Sequence, residues 1–189
     1  MKWTTTKFIA AGSLGVLSLL LEIPASSLAI LSGVPLMGGF INIFIAPVFD
    51  SLTPLLISSF GAATIQRGVI ALLSLPLALG GPPGFFPKVI IMLIQGLLVD
   101  LIFLALKANR KAAAIIAAAV STIYYTLAFV FVGKLFALPG IDQTIKLFLS
   151  PLLLVGSLVA GGFSGYLAWL IYNRVKRTSI VARIQGNYD

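Results

Sequence analysis

Long apolar stretches alternate along this chain with short polar breaks, and the stretches are too long and too unbroken for a soluble domain. They cover about residues 8–31, 36–58, 62–79, 89–106, 112–132 and 147–172. Each is close to the roughly 20 residues that a helix needs to cross a bilayer. Residues 173–189 follow as a basic tail. The run Gly80-Gly81-Pro82-Pro83-Gly84 marks the break between the third and fourth stretches. The second stretch contains Pro47, Asp50 and Pro54 and predicts a bent helix. No clear polar loop separates the second stretch from the third, and the turn is placed near Phe60 to Arg67. The first stretch, flanked by Lys2 and Lys7, exceeds the apolar region of a signal peptide (about 7–15 residues) and leads into more apolar sequence. It reads as a retained helix.

Composition agrees with this pattern. Apolar residues make up 59% of the 189 positions and charged residues 10%, against roughly 45–50% and about 25% in soluble domains. Mean hydropathy is +1.10. Six spans use about 120 residues and leave only short connections. The expectation is an all-α integral membrane protein, a single bundle of six transmembrane helices in the plasma membrane.

Charge sets the orientation. With six spans, one side receives Lys2, Lys7, Arg67, Lys107, Arg110, Lys111, Arg174, Lys176, Arg177 and Arg183, and the other only Lys88, Lys134 and Lys146. The positive-inside bias then puts both termini in the cytoplasm. The same bias accounts for the net charge of +8 without nucleic acid.

What the chain lacks narrows its chemistry. It has no cysteine and no histidine, so thiolate and imidazole catalysis and their metal sites are excluded. The five acids are Glu22, Asp50, Asp100, Asp142 and Asp189, and no two stand at helical i, i+3 or i+4 spacing. No metal site and no cofactor are expected. A nickel or cobalt cargo is disfavoured, because those ions prefer imidazole and thiolate.

Small residues mark where helices approach closely. Ala11 and Gly15 lie one turn apart in the first stretch. In the sixth, Gly156, Ala160, Ser164 and Ala168 form a stripe with Gly161 and Gly165 alongside, for which packing within the bundle is the plain explanation.

In order and spacing these features resemble the S component, the substrate-capture subunit, of energy-coupling factor (ECF) transporters. The resemblance rests on Ala11 and Gly15, on the proline-broken run from Ile43 ending in Phe60-Gly61, on Gly96 to Asp100 in the fourth stretch, and on Gly161-Gly162-Phe163-Ser164-Gly165-Tyr166. It implies capture of a vitamin-like solute from outside and joint action with a membrane T component and two cytoplasmic ATPases. Ala11 and Gly15 would then contact the T component; packing within the bundle is the alternative. The chain has no GxxxxGK[ST] loop, so ATP hydrolysis is expected in the partners only.

Polar groups inside a span are costly and are therefore candidates for function. Glu22 stands 14 residues beyond Phe8, roughly 21 Å along the helix. Gln95 is seven residues, about 10 Å, inward from Lys88. Tyr124 and Tyr125 fall in the same outer half. Together they offer a carboxylate, an amide and two phenols to a flat organic solute. The alternative is that the tyrosines are packing residues and that Glu22 pairs with Lys134 or Lys146. Asp100 is expected to pair with Lys107 or Arg110. The loop of residues 80–88, with Phe85 and Phe86, is either a cover for the pocket or a plain turn.

Two other classes compete. Gly162-Phe163-Ser164-Gly165 spells the GxSG of rhomboid proteases, but Ser164 has no histidine to take its proton, so an enzyme is not expected. A stand-alone channel or transporter, or a membrane assembly protein, is the remaining rival. No inverted repeat relates residues 1–90 to 91–189, which speaks against a self-sufficient alternating-access carrier.

Overall fold

A computed structural model describes residues 3–32, 36–77, 79, 81–138 and 141–186. Lys2, Gly80 and the last three residues of the tail lie outside the described residues. The elements in chain order are α1 (Thr5–Ser32), α2 (Leu36–Ile57), α3 (Ala62–Ser74), α4 (Pro87–Ala105), α5 (Arg110–Leu135), α6 (Ile141–Phe148), α7 (Pro151–Val175) and α8 (Ser179–Gln185). No strand occurs among the described residues.

Among the described residues, four helices are long and apolar enough to cross a membrane, within Thr5–Ala25, Pro87–Ala105, Arg110–Leu135 and Pro151–Val175. Their surfaces support a lipid-facing role. Phe131, Leu135, Leu152 and Val159 are exposed, Leu152 to 83%, while Ser18, Asp50, Ser51, Thr53, Gln66 and Ser121 are fully buried. That distribution is the reverse of a water-soluble fold, in which buried charges are scarce. It is the one expected where the surroundings are apolar and polar groups must find partners inside.

The central element is α2, which packs against α1, α3, α4, α5, α7 and α8. It runs unbroken through Pro47 and Pro54. Around it, small residues allow backbones to close in. An added Cβ at Gly165 would lie 2.2 Å from the Ala114 carbonyl oxygen, and one at Gly161 2.9 Å from that of Ala118. The glycine-rich face of α7 therefore meets α5 at its alanine backbone, with Thr122 Oγ1 also close at Gly161 (2.6 Å from an added Cβ). Ser164 is buried and donates to Ala160 O of its own helix, a packing role.

Ala11 and Gly15 serve a contact of the same kind. Ala11 is buried against Ile57 and Ala62, and a Cβ on Gly15 would sit 2.8 Å from Gln66 O. The small face of α1 is thus filled by α3 of the same chain.

Two sequence expectations change. The third stretch is helical only to Ser74, because Pro76 has no N–H for the Leu72 carbonyl and its ring crowds the preceding turn. The basic tail, given no element in the sequence reading, carries α8, which folds back beneath α2 with Val181 packed in the cluster of Leu52 and Leu56. Gln185 Nε2 donates to Leu56 O at 3.1 Å.

Candidate functional site

The α2–α3 hairpin brings opposite charges together inside the bundle. Ile57 packs on Ala62, and the same antiparallel register sets Asp50 beside Arg67. The guanidinium binds the carboxylate in a fork, Nε to Oδ1 and Nη2 to Oδ2, both at 2.5 Å. Asp50 Oδ2 also accepts from Ser121 Oγ at 2.6 Å and from Gln95 Nε2 at 3.3 Å. Gln95 Nε2 donates in turn to Ser121 Oγ at 2.8 Å. Four helices, α2 to α5, thus converge on one carboxylate.

Glu22 approaches the same guanidinium from α1. It accepts from Ser18 Oγ at 2.7 Å and lies within electrostatic reach of Arg67 and Tyr125. One permanent cation thus stands between two acidic side chains. Lys134 and Lys146, the partners considered for Glu22, are both exposed. Tyr125 packs on Leu19, Ile70, Ala71 and Met92 and stacks on Phe129, with centroids 6.3 Å apart.

Of the four expected solute residues, Glu22, Gln95 and Tyr125 share this cluster. No described contact ties Tyr124 to it. Adjacent residues on a helix point about 100° apart, so with Tyr125 turned inward Tyr124 is directed to a different side of α5.

Several buried polar atoms are unpaired within the described chain: both amide atoms of Gln66, Gln95 Oε1 and Thr53 Oγ1. Leaving such a group unpaired costs about 1–3 kcal/mol. Of these atoms, Gln95 Oε1 belongs to a member of the cluster, which thus offers an amide oxygen near a guanidinium to a polar guest. Glu22, Asp50, Arg67 and Gln95 are each at most 3% exposed, so a guest reaches them only when helices part.

Sequence reasoning missed Asp50, Arg67 and Ser121 as members of this cluster. Arg67 was counted among the loop charges, whereas it is buried on α3. Asp50 was noted only as a helix feature. The rule that selected Glu22, a charge within an apolar stretch, applied equally to both. Ser121 carried no signal, because lone serines occur throughout membrane helices.

Asp100 corrects another expectation. It does not pair with Lys107 or Arg110; it caps α3. Its Oδ1 accepts from Ala63 N at 3.1 Å, and its Oδ2 from Thr64 N at 2.9 Å and Thr64 Oγ1 at 2.7 Å. Gly61, at the N-cap position with φ +90°, has no side chain to do this, so the cap is supplied from α4. Gly96 makes that possible, since a Cβ there would lie 2.7 Å from Ala63 O. Removing a cap costs about 0.5–2 kcal/mol. Asp100→Ala should therefore lower the thermal unfolding midpoint of the detergent-solubilised protein, with Asp100→Asn intermediate. An unchanged midpoint in both variants would rule out the cap as a stabilising contact.

Lys88 is likewise no loop charge. Its ammonium is buried and donates to Ser74 O at 2.6 Å, Leu77 O at 2.9 Å and Leu79 O at 3.3 Å. These carbonyls, left open where α3 stops, are held by a cation from α4. Phe85 of the connecting segment meets Phe136 edge to face at 5.6 Å, so the segment folds over the end of α5.

No protein-family model, curated protein or solved structure matches the chain. Fold and cluster together define an all-helical, membrane-type bundle with a charged polar centre.

Proposed function

We propose that the chain is the membrane-embedded solute-binding subunit of an ECF-type uptake transporter, crossing the plasma membrane six times with both termini in the cytoplasm. It captures a vitamin-like organic solute from outside and releases it inward with a T component and two ATPases. The observation that carries this reading is the polar centre: Glu22, Asp50, Arg67 and Gln95 inside an apolar bundle, with Gln95 Oε1 left unpaired among the described residues. Charged groups at such depth are expensive, and function is the default reason to keep them.

Two further points support it. With 22 residues, α2 extends about 33 Å and is long enough to cross. With 13 residues, α3 reaches only about 20 Å, and the irregular segment up to α4 completes the crossing. Irregular backbone at depth is tolerated when protein satisfies it, as Lys88 does. Assigning Arg67 and Lys88 to the interior still leaves Lys7, Lys107, Arg110, Lys111, Arg174, Lys176, Arg177 and Arg183 at one end, against Lys134 and Lys146 at the other.

The test is purification of the tagged full-length chain from its own membranes, followed by native mass spectrometry. A retained organic solute, together with a T component and two P-loop ATPases, is the expected result. Solute affinity in Glu22→Ala should fall about 10- to 150-fold, the range for one charged hydrogen bond of about 1.5–3 kcal/mol. A chain that purifies without ATPases and without a solute would instead favour a stand-alone channel or an assembly protein.

A further inference from the structure

At the end of the bundle that carries most of its basic residues, a cavity of about 170 Å³ opens between the end of α2 and the α4–α5 turn. Its rim carries Lys107 and Arg110, both exposed, and neither pairs with a carboxylate among the described residues. Its side walls are Phe60, Phe103 and Leu104, and Phe60 and Leu104 are themselves exposed on the apolar flank of the bundle. Ser58 and Ser59 add hydroxyl groups. At the base lies Asp100, whose oxygens are already taken by Ala63 N, Thr64 N and Thr64 Oγ1. Its charge faces the positive end of α3 and is offset there.

The level of the cavity along the bundle is marked by its neighbours. Trp3 donates from Nε1 to Phe60 O at 3.0 Å, and Arg110 Nη1 donates to Tyr172 Oη at 3.1 Å. Lys111 lies over the Trp169 and Tyr166 rings, 5.0 and 5.3 Å from their centroids. Tryptophan and tyrosine interleaved with basic residues collect where a membrane meets water, at the depth of the lipid headgroups. A site whose rim carries two cations with no carboxylate partner among the described residues, and whose apolar wall continues along the bundle, fits a ligand with a phosphodiester head and an acyl tail. Basic pockets between transmembrane helices take anionic headgroups in this way.

We propose that this cavity binds the headgroup of an anionic phospholipid, with Lys107 and Arg110 contacting the phosphate and the acyl chain lying along Phe60 and Leu104. The inference rests on the chain being a membrane protein and is independent of its being a transporter subunit.

The experiment uses the full chain, delipidated in a neutral detergent, and reads lipid adducts by native mass spectrometry and lipid-induced thermal stabilisation. The probes are phosphatidylglycerol, phosphatidylcholine and inorganic phosphate. Phosphatidylglycerol should bind best and inorganic phosphate should not substitute for it. Lys107→Gln removes a side chain with no hydrogen bond among the described residues, and should weaken phosphatidylglycerol binding about fivefold. With Arg110→Gln added, the loss should reach about 30-fold. Lys176→Gln with Arg177→Gln, changing the same charge at the same end, should leave the preference intact. Equal binding of the two lipids would overturn the proposal, as would a control pair that loses as much as the cavity pair. Stabilisation by inorganic phosphate equal to that by the lipid would assign the cavity to a free anion instead. A chain that fails to partition into membranes would remove the premise, a result distinct from any failure to find ATPases or a solute.

Discussion

Arg67→Met should destabilise the folded bundle by about 3–5 kcal/mol, because it leaves the Asp50 carboxylate buried without its cation. Ser121 and Gln95 would still donate to Asp50, but two neutral donors do not balance a charge at 0% exposure. Asp50→Leu alone should cost a similar amount by stranding the guanidinium, for which Glu22 is the other nearby acid. The double variant should recover most of the stability, since an apolar pair of similar volume replaces a buried ion pair at little or no cost. Chemical unfolding of the detergent-solubilised protein checks all three. If the double variant proves as unstable as either single one, the pair does more than neutralise itself. If it is stable yet no longer retains a solute, the pair belongs to the binding machinery.

The second large effect concerns the α5–α7 contact. Gly165→Leu should prevent the two helices from closing, because even a Cβ would lie 2.2 Å from Ala114 O. That oxygen also accepts from Ser51 Oγ at 2.8 Å, so α2 is tied to the same point. Overpacking typically costs about 1–3 kcal/mol, and this site should reach the top of that range because the obstacle is backbone. Gly156→Leu on the same helix is the control. A Cβ at Gly156 meets nothing within 4 Å, so that variant should unfold like the parent. Comparable midpoints for the two variants would mean that α7 does not sit on α5 as described.

The same reasoning changes what enlarging Ala11 and Gly15 should do. The sequence left two readings for this pair, packing within the bundle or a surface for a partner subunit; the structure has both residues against α3, and a Cβ added to Gly15 would lie 2.8 Å from Gln66 O. Bulk at that place disturbs the hairpin that carries Arg67. Any loss of coupling would then arrive together with loss of stability.

Helix placement was largely legible in the chain because it depends on apolar run length, a local property. Arg110–Leu135 and Pro87–Ala105 differ from the predicted 112–132 and 89–106 by at most three residues at either end. The third helix was overestimated because hydropathy ignores the backbone: Leu75 and Leu77 are as apolar as their neighbours, but Pro76 between them cannot continue the ladder. Gly161, Ser164, Gly165 and Ala168 of α7 were read correctly as packing, since close approach needs only the absence of a large side chain, whereas Gly156 of the same stripe faces open space.

The candidate site was half legible. A charge in an apolar stretch is visible in a sequence, which is why Glu22 and Gln95 stood out. Its partner is not visible when it lies on another helix. Asp50 and Arg67 are 17 residues apart in the chain, and only the hairpin register decides that they meet. Asp100 shows the same limit, with cations available seven and ten residues onward in its own sequence neighbourhood. It turned instead to Ala63 and Thr64, because Gly96 lets α3 come close enough for its open N–H groups to reach the carboxylate first.

By itself, then, the sequence determined the helical bundle, its apolar exterior, and the need for polar groups to be satisfied inside, because these follow from composition and run length. Only the tertiary structure decided which groups satisfy one another: Arg67 with Asp50, Lys88 with the open end of α3, Asp100 with its start. Those pairings depend on helix register and on backbone approach distances of a few ångströms, which no local pattern of residues encodes.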